Sequence, residues 1–214
     1  MGIAMSTIAL LGDSILDNRL YVDSEPDTAE HLRRILGPPW TVKLLAVDGS
    51  VMADVYRQSA ALAPSCDVAV LSVGGNDAID HLGLLEQTAD SVASVIDELD
   101  QIATSFAMSY GALVSHLRSQ VRRLIVCTVY EPPLTNPRRA RLARVPIALF
   151  ADRICNVAGE HSADVIDLRR VCTEDDDFVA EIEPSALGAR KIAEAIAASV
   201  LGEETTRCIR VFAT

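Results

Sequence analysis

Ser14, Gly49 and Asn76 each stand just past an apolar run, in the segments Gly12-Asp13-Ser14, Val47-Asp48-Gly49-Ser50 and Gly74-Gly75-Asn76-Asp77. A serine hydroxyl becomes an effective nucleophile once a base takes its proton. The Ser14 N–H, the Gly49 N–H and the Asn76 side-chain amide are three donors that could surround the oxyanion of a tetrahedral acyl intermediate. Losing one such donor typically costs about 3 kcal/mol. Glycine at 49 keeps a Cβ out of an approaching substrate's way, and Gly74 and Gly75 permit a sharp turn that aims Asn76 inward. The chemistry indicated is acyl transfer without an obvious base. Towards the C-terminus the chain reads Ala180-Glu181-Ile182-Glu183-Pro184-Ser185, with no histidine.

Such residues act together only if the fold gathers them. Five short apolar runs predict strands: Thr7 to Leu11, Thr41 to Val47, Val68 to Val73, Arg123 to Val129 and Asp164 to Leu168. Continuous apolar runs bounded by turn residues suit strands buried on both faces of a parallel sheet. Helical patterns lie between them. One begins at Asp27, with Glu30 at capping-box spacing, and stops at Gly37-Pro38-Pro39. Leu84 to Val121 reads as helix and would be nearly 60 Å long at about 1.5 Å per residue, so a break near Gly111 is expected. Arg138 to Glu160 is another helix, with a kink expected at Pro146. Pro184-Ser185 opens the last, which ends near Gly202, and the tail from Arg207 to Thr214 is either an extra strand or a loose end. This alternation predicts one open α/β domain over residues 1–214, with helices on both sheet faces. Ligands of such sheets bind beyond the carboxyl ends of the strands, where Ser14, Gly49 and Asn76 all fall.

Bulk properties narrow the partners. The net charge of −11 disfavours nucleic acid and anionic membrane surfaces, which repel an acidic protein. Arg138, Arg139, Arg141 and Arg144 cluster on a predicted helix and read as a solvated face. The five cysteines are odd in number and widely spaced, with no Cys-x-x-Cys, which argues against a disulfide framework and a metal site. The N-terminal apolar stretch, Ile8 to Leu11, is too short for a signal peptide or a membrane span, so a cytoplasmic location is expected. The sequence sets no oligomeric state.

The three glycine-bearing segments resemble the first three sequence blocks of the SGNH/GDSL hydrolase superfamily. Pro184-Ser185-Ala186-Leu187-Gly188-Ala189-Arg190-Lys191-Ile192-Ala193 resembles the fourth, which in that family follows Asp-x-x-His. The resemblance implies a three-layer, flavodoxin-like fold with a five-stranded parallel sheet. It also implies hydrolysis of a small ester or thioester, or acyl transfer, through an acyl-enzyme on Ser14, with no metal or organic cofactor. Serine, glycine and asparagine carry over. The family's histidine falls on Glu183 and its aspartate on Ala180.

Three readings of the missing histidine follow. Glu183 could be the base, since carboxylates serve as general bases. Its reference pKa is about 2 units below histidine's, or roughly 3 kcal/mol less proton affinity, and burial can recover part of this. Alternatively His81, five residues after Asn76, substitutes, although the plainer reading is that it caps or covers the helix beginning near Leu84. His116 and His161 should lie at the opposite sheet edge, and His31 should face solvent. The third reading is a binding module that holds an acyl or carbonyl ligand without turnover. There the Glu183 carboxylate would bond Ser14 and favour a neutral or cationic ligand. Asp13, Asp17, Asn18 and Asp77 read as turn formers. Asp175-Asp176-Asp177 reads as an acidic loop, and Tyr130-Glu131-Pro132-Pro133 as a segment at the functional edge.

Overall fold

A computed structural model describes residues 5–81, 83–84 and 88–202. Five strands form one all-parallel sheet: β1 (Ser6–Gly12), β2 (Trp40–Leu44), β3 (Val68–Ser72), β4 (Arg123–Cys127) and β5 (Asp164–Ile166), in the order β2-β1-β3-β4-β5. All five lie where the apolar runs predict, with ends shifted by a few residues. The register sets Ile8 beside Val42 and Val68, and Val70 beside Ile125. The interior strands are buried throughout most of their length, whereas at the edges β2 exposes alternate residues and β5 exposes Asp164 and Val165.

The helices are α1 (Thr28–Leu36), α2 (Met52–Ser59), α3 (Gly75–Ile79), α4 (Val92–Arg118), α5 (Pro137–Glu160) and α6 (Ala186–Leu201). On one sheet face α1 and α6 bury Leu32, Ile192 and Ile196 against Ile8, Leu10 and Ile125. On the other, α2, α4 and α5 bury Val55, Phe106, Leu113 and Ile154 against Leu11, Leu71 and Val126. Asp27 caps α1 as predicted, its carboxylate accepting the Glu30 N–H at 2.7 Å. Gly202 ends α6 in the left-handed conformation. The tail from Arg207 lies outside the described residues.

One helix expectation needs correction. The 84–121 stretch does not break at Gly111. Helix α4 starts later, at Val92, where Ser91 accepts the Ser94 N–H, and runs unbroken for 27 residues, about 40 Å. Gly111 is tolerated because the flanking Tyr110, Leu113 and Val114 are fully buried. Helix α5 has Pro146 inside it, as the sequence predicts. The sequence reading also missed α2, α3 and a small antiparallel hairpin of β6 (Phe178–Val179) and β7 (Glu183–Pro184). These elements are too short to show a hydrophobic period. Among the described residues no helix is long and apolar enough to cross a membrane.

Candidate active site

Strands β1 and β3 are neighbours, but the chain leaves them for opposite faces of the sheet, which opens a crevice at their carboxyl ends. Ser14 follows β1 at this point and is largely buried. Its turn depends on Gly12. There φ is +128°, and a Cβ would lie 1.8 Å from the Ser72 carbonyl oxygen, so only glycine fits. The Gln58 side chain pins the same turn, accepting the Gly12 N–H at 2.7 Å and donating to the Gly12 carbonyl at 2.8 Å. Gln58 also donates to Ser50 Oγ at 3.1 Å, so one buried amide joins the Ser14 turn to the Gly49 loop.

At Gly49 φ is +75°, and no atom lies within 4 Å of where a Cβ would start. Glycine is needed there for backbone conformation rather than for want of space. Asp17 accepts the Asp48 N–H at 3.0 Å, and Tyr21 donates to Asp48 Oδ2 at 3.0 Å. Asn76, in α3, donates one amide hydrogen to the Ser50 carbonyl at 2.9 Å. An amide nitrogen carries two hydrogens, so this bond orients the group and leaves the second donor. Asp77 accepts the Met52 N–H with both oxygens at 3.2 Å, which fastens α3 to the start of α2. Among the described residues neither the Ser14 N–H nor the Gly49 N–H donates within the protein. Gly74, at φ +120°, makes the turn before Asn76, whereas Gly75 lies inside α3 with open space around it.

Glu183 arrives from β7 on the other side. Three contacts hold its segment. Tyr130 donates to the Ile182 carbonyl at 2.5 Å, Asn18 donates to the Pro184 carbonyl at 3.0 Å, and Thr135 donates to the Glu181 carboxylate. Asn18 is fully buried and accepts from both the N–H and the hydroxyl of Thr28. The hairpin places Ala180 and Glu181 at φ of 49° and 70°, which non-glycine residues rarely adopt. The Ser14 hydroxyl favours the charged form of the Glu183 carboxyl. Glu183 Oε2 is buried without a partner among the described residues. Burial is the larger influence and raises the Glu183 pKa above its ordinary 4.5, and Asp48 adds to this.

Asp13 is buried, and its Oδ1 accepts the Ile15 N–H at 3.1 Å, the turn-forming role its position predicts. Burial pushes its pKa up to about 8, and the nearby Glu183 and Asp77 carboxyls add to the rise. Among the described residues no basic side chain is among the groups that shift Asp13, Glu183 or Tyr21.

The histidines are distributed as follows. His81 is exposed just past α3, and its backbone N–H bonds the Ala78 carbonyl. His116 meets Ser59 Oγ at 3.1 Å and Gln120 at 2.8 Å near the end of α4, at the opposite edge. His161 caps the C-terminus of α5 at that same edge. His31 is half-buried rather than solvent-facing, because α1 packs on α6, and burial lowers its pKa. The acidic loop is also more than a solvated turn. Asp177 is fully buried, 2.7 Å from Lys191 Nζ, and accepts the Thr173 and Glu174 N–H groups. It serves α6 and its loop rather than Glu183.

The sequence reading missed Gln58 and the buried anchoring role of Asn18. An uncharged amide deep in a helix or turn carries no sequence signal. The Asn18 contact spans 166 residues.

The site and fold define an α/β protein with a serine after the first strand and two glycine-bearing loops beside it. The chain belongs to the GDSL-like lipase/acylhydrolase family, which it matches over residues 10–191. No curated protein matches it in sequence. Among solved structures it is similar to phospholipase A1 from Streptomyces albidoflavus NA297, with a TM-score of 0.70 and 16% identity over 91% of this chain and 99% of that one. It is also similar to the lipase/acylhydrolase from Enterococcus faecalis, with a TM-score of 0.69 and 19% identity over 96% and 100% of the two chains. An acetyl xylan esterase aligns with a TM-score of 0.65 and 19% identity over 91% and 99%.

Proposed function

We propose that this protein hydrolyses a small ester or related acyl substrate through an acyl-enzyme on Ser14, with Glu183 as the base. The observation that carries this is the half-buried Glu183 carboxyl of β7, 169 residues away in the chain, whose charged form the Ser14 hydroxyl favours. In the first step Ser14 Oγ attacks the substrate carbonyl carbon while the Glu183 carboxylate takes the hydroxyl proton. The Ser14 and Gly49 N–H groups and the free hydrogen of Asn76 receive the oxyanion. As the tetrahedral species collapses, the ester bond to the leaving alcohol breaks and the alcohol takes the proton from Glu183. Water then attacks the acyl-serine, again giving its proton to Glu183, and the acid leaves as Ser14 recovers its hydrogen.

The carboxyls beside Ser14 support a division of roles. At neutral pH Asp13, with a pKa of about 8, stays largely protonated and is no acceptor for the Ser14 proton. The surrounding Asp17 and Asp48 favour a neutral or cationic ester over an anionic one. The names of the solved relatives denote lipid or acetyl-ester hydrolysis, which agrees with the reaction class but sets no chain length.

A second reading is a binding module that holds an acyl carbonyl without turnover. Among the described residues Glu183 Oε2 has no hydrogen-bond partner, which favours it, although such contacts often form only when substrate is bound. Turnover of a chromogenic short-chain ester separates the two. Hydrolysis that disappears in Ser14→Ala supports the enzyme, whereas binding without hydrolysis in the wild type supports the module.

A further inference from the structure

Helices α4 and α5 both start at the carboxyl edge of the sheet and run back to the opposite edge, and both are longer than the sheet is tall. Phe106 of α4 and Phe150 of α5 pack edge to face with centroids 4.5 Å apart. The Phe106 ring lies 3.1 Å from where a Gly74 side chain would begin, so this pair marks the level of the site. Beyond it lie residues 92–102 of α4 and 137–149 of α5, and none of them is buried. The two ends therefore extend about 16–20 Å past the catalytic edge at 1.5 Å per residue.

These ends break two local rules. Helices draw most of their stability from a packed apolar face, yet Val92, Ile96, Leu142 and Val145 are 78%, 59%, 37% and 61% exposed. The first turns of a helix favour acids, yet α5 opens with Arg138, Arg139, Arg141 and Arg144 and no acidic residue. Among the described residues Arg138, Arg139 and Arg141 form no ion pair, and neither do the exposed Asp97 and Glu98 of α4. Among the described residues only Arg153 with Asp100, at 3.5 Å, ties the two helices by charge. One helix end thus carries spare positive charge, and its neighbour carries spare negative charge, with apolar side chains on both.

We propose that these ends dock on the same ends of a second copy of this chain, as a two-fold dimer closed by a four-helix contact beside the catalytic edge. A two-fold axis pairs surface i with j and j with i. The basic end of α5 then meets the acidic end of the partner's α4 twice, and the apolar residues lie between. The contact is carried by exposed charges, so the dimer is salt-sensitive. This docking is independent of whether Ser14 turns over.

The test is sedimentation velocity of the full chain from about 5 to about 300 µM at low salt. The wild type should move from monomer to dimer and revert in high salt. Arg138→Glu with Arg141→Glu should weaken association at least about tenfold, and so should Asp97→Arg with Glu98→Arg. An equimolar mixture of the two doubly reversed variants should dimerise again, because both contacts then regain opposite charge. These positions are exposed, and circular dichroism should show an unchanged fold. A wild type that stays monomeric throughout overturns the proposal, including one that instead binds anionic vesicles. So does a dimer that neither reversal weakens, or reversals that the mixture does not rescue.

Discussion

Asp13→Asn should stabilise this protein at neutral and alkaline pH and leave it no more stable in acid. In the fold Asp13 titrates at about 8, against 3.8 for an ordinary aspartate. Its folded pKa lies above the unfolded one, so its contribution to stability is fully present below the unfolded value and is lost as pH rises through the folded one. Between the two values each pH unit costs about 1.4 kcal/mol, so the loss from about pH 4 to about pH 7 approaches ~4 kcal/mol. Relaxation around the buried carboxyl makes this a ceiling. Asparagine matches the shape, keeps an oxygen to accept the Ile15 N–H and never ionises. Urea unfolding of both proteins at about pH 4, 6 and 8 should show the variant gaining on the wild type as pH rises, by at least ~1 kcal/mol at the top of the range. A difference that is flat with pH, or that favours the wild type at about pH 8, would refute a protonated Asp13 beside Glu183.

Other perturbations separate close packing from backbone conformation and from charge. Gly12→Ala drives a methyl into the Ser72 carbonyl and should cost at least about 3 kcal/mol or prevent folding. Gly49→Ala meets open space, so thermal melts should show only the left-handed backbone cost of about 1–2 kcal/mol. Asn18→Ala strips the Pro184 carbonyl and the Thr28 N–H of their partner, and chemical denaturation should register a loss of about 1–3 kcal/mol. Ester turnover in Asn18→Ala should fall further than in a surface control of equal stability, because Glu183 loses an anchor. Lys191→Met leaves Asp177 buried without its cation and should cost about 3 kcal/mol at neutral pH, read by the same denaturation.

The sheet was legible because its strands are continuous apolar runs ended by glycine or polar turns, a pattern that depends on local sequence alone. Ser14, Gly49 and Asn76 were legible for the same reason, since each follows its strand directly. What gathers around them was not. Asn18 reaches Pro184, Gln58 reaches Gly12 and Tyr130 reaches Ile182 through contacts between distant segments, with no composition or period to mark them. The Leu84–Val121 stretch misled because a long amphipathic pattern does not reveal where capping starts it, and Ser91 supplies that start. Asp177 read as a solvated acid because its neighbours are acidic. Its burial is set by Lys191, one helix later.

Whether Glu183 activates Ser14 is best decided with a fluorophosphonate probe, which phosphonylates an activated serine and expels fluoride without any guess at the substrate. Intact mass, read across about pH 5 to 9, should show one adduct that maps to Ser14 and is absent in Ser14→Ala. Labelling should fall as pH drops through the raised pKa of Glu183, above 4.5, because only the ionised carboxylate accepts the proton. Glu183→Gln should abolish it at every pH. Labelling that survives Glu183→Gln would move the base elsewhere, with His81 the first residue to substitute, and no adduct at any pH would contradict nucleophilic catalysis by Ser14.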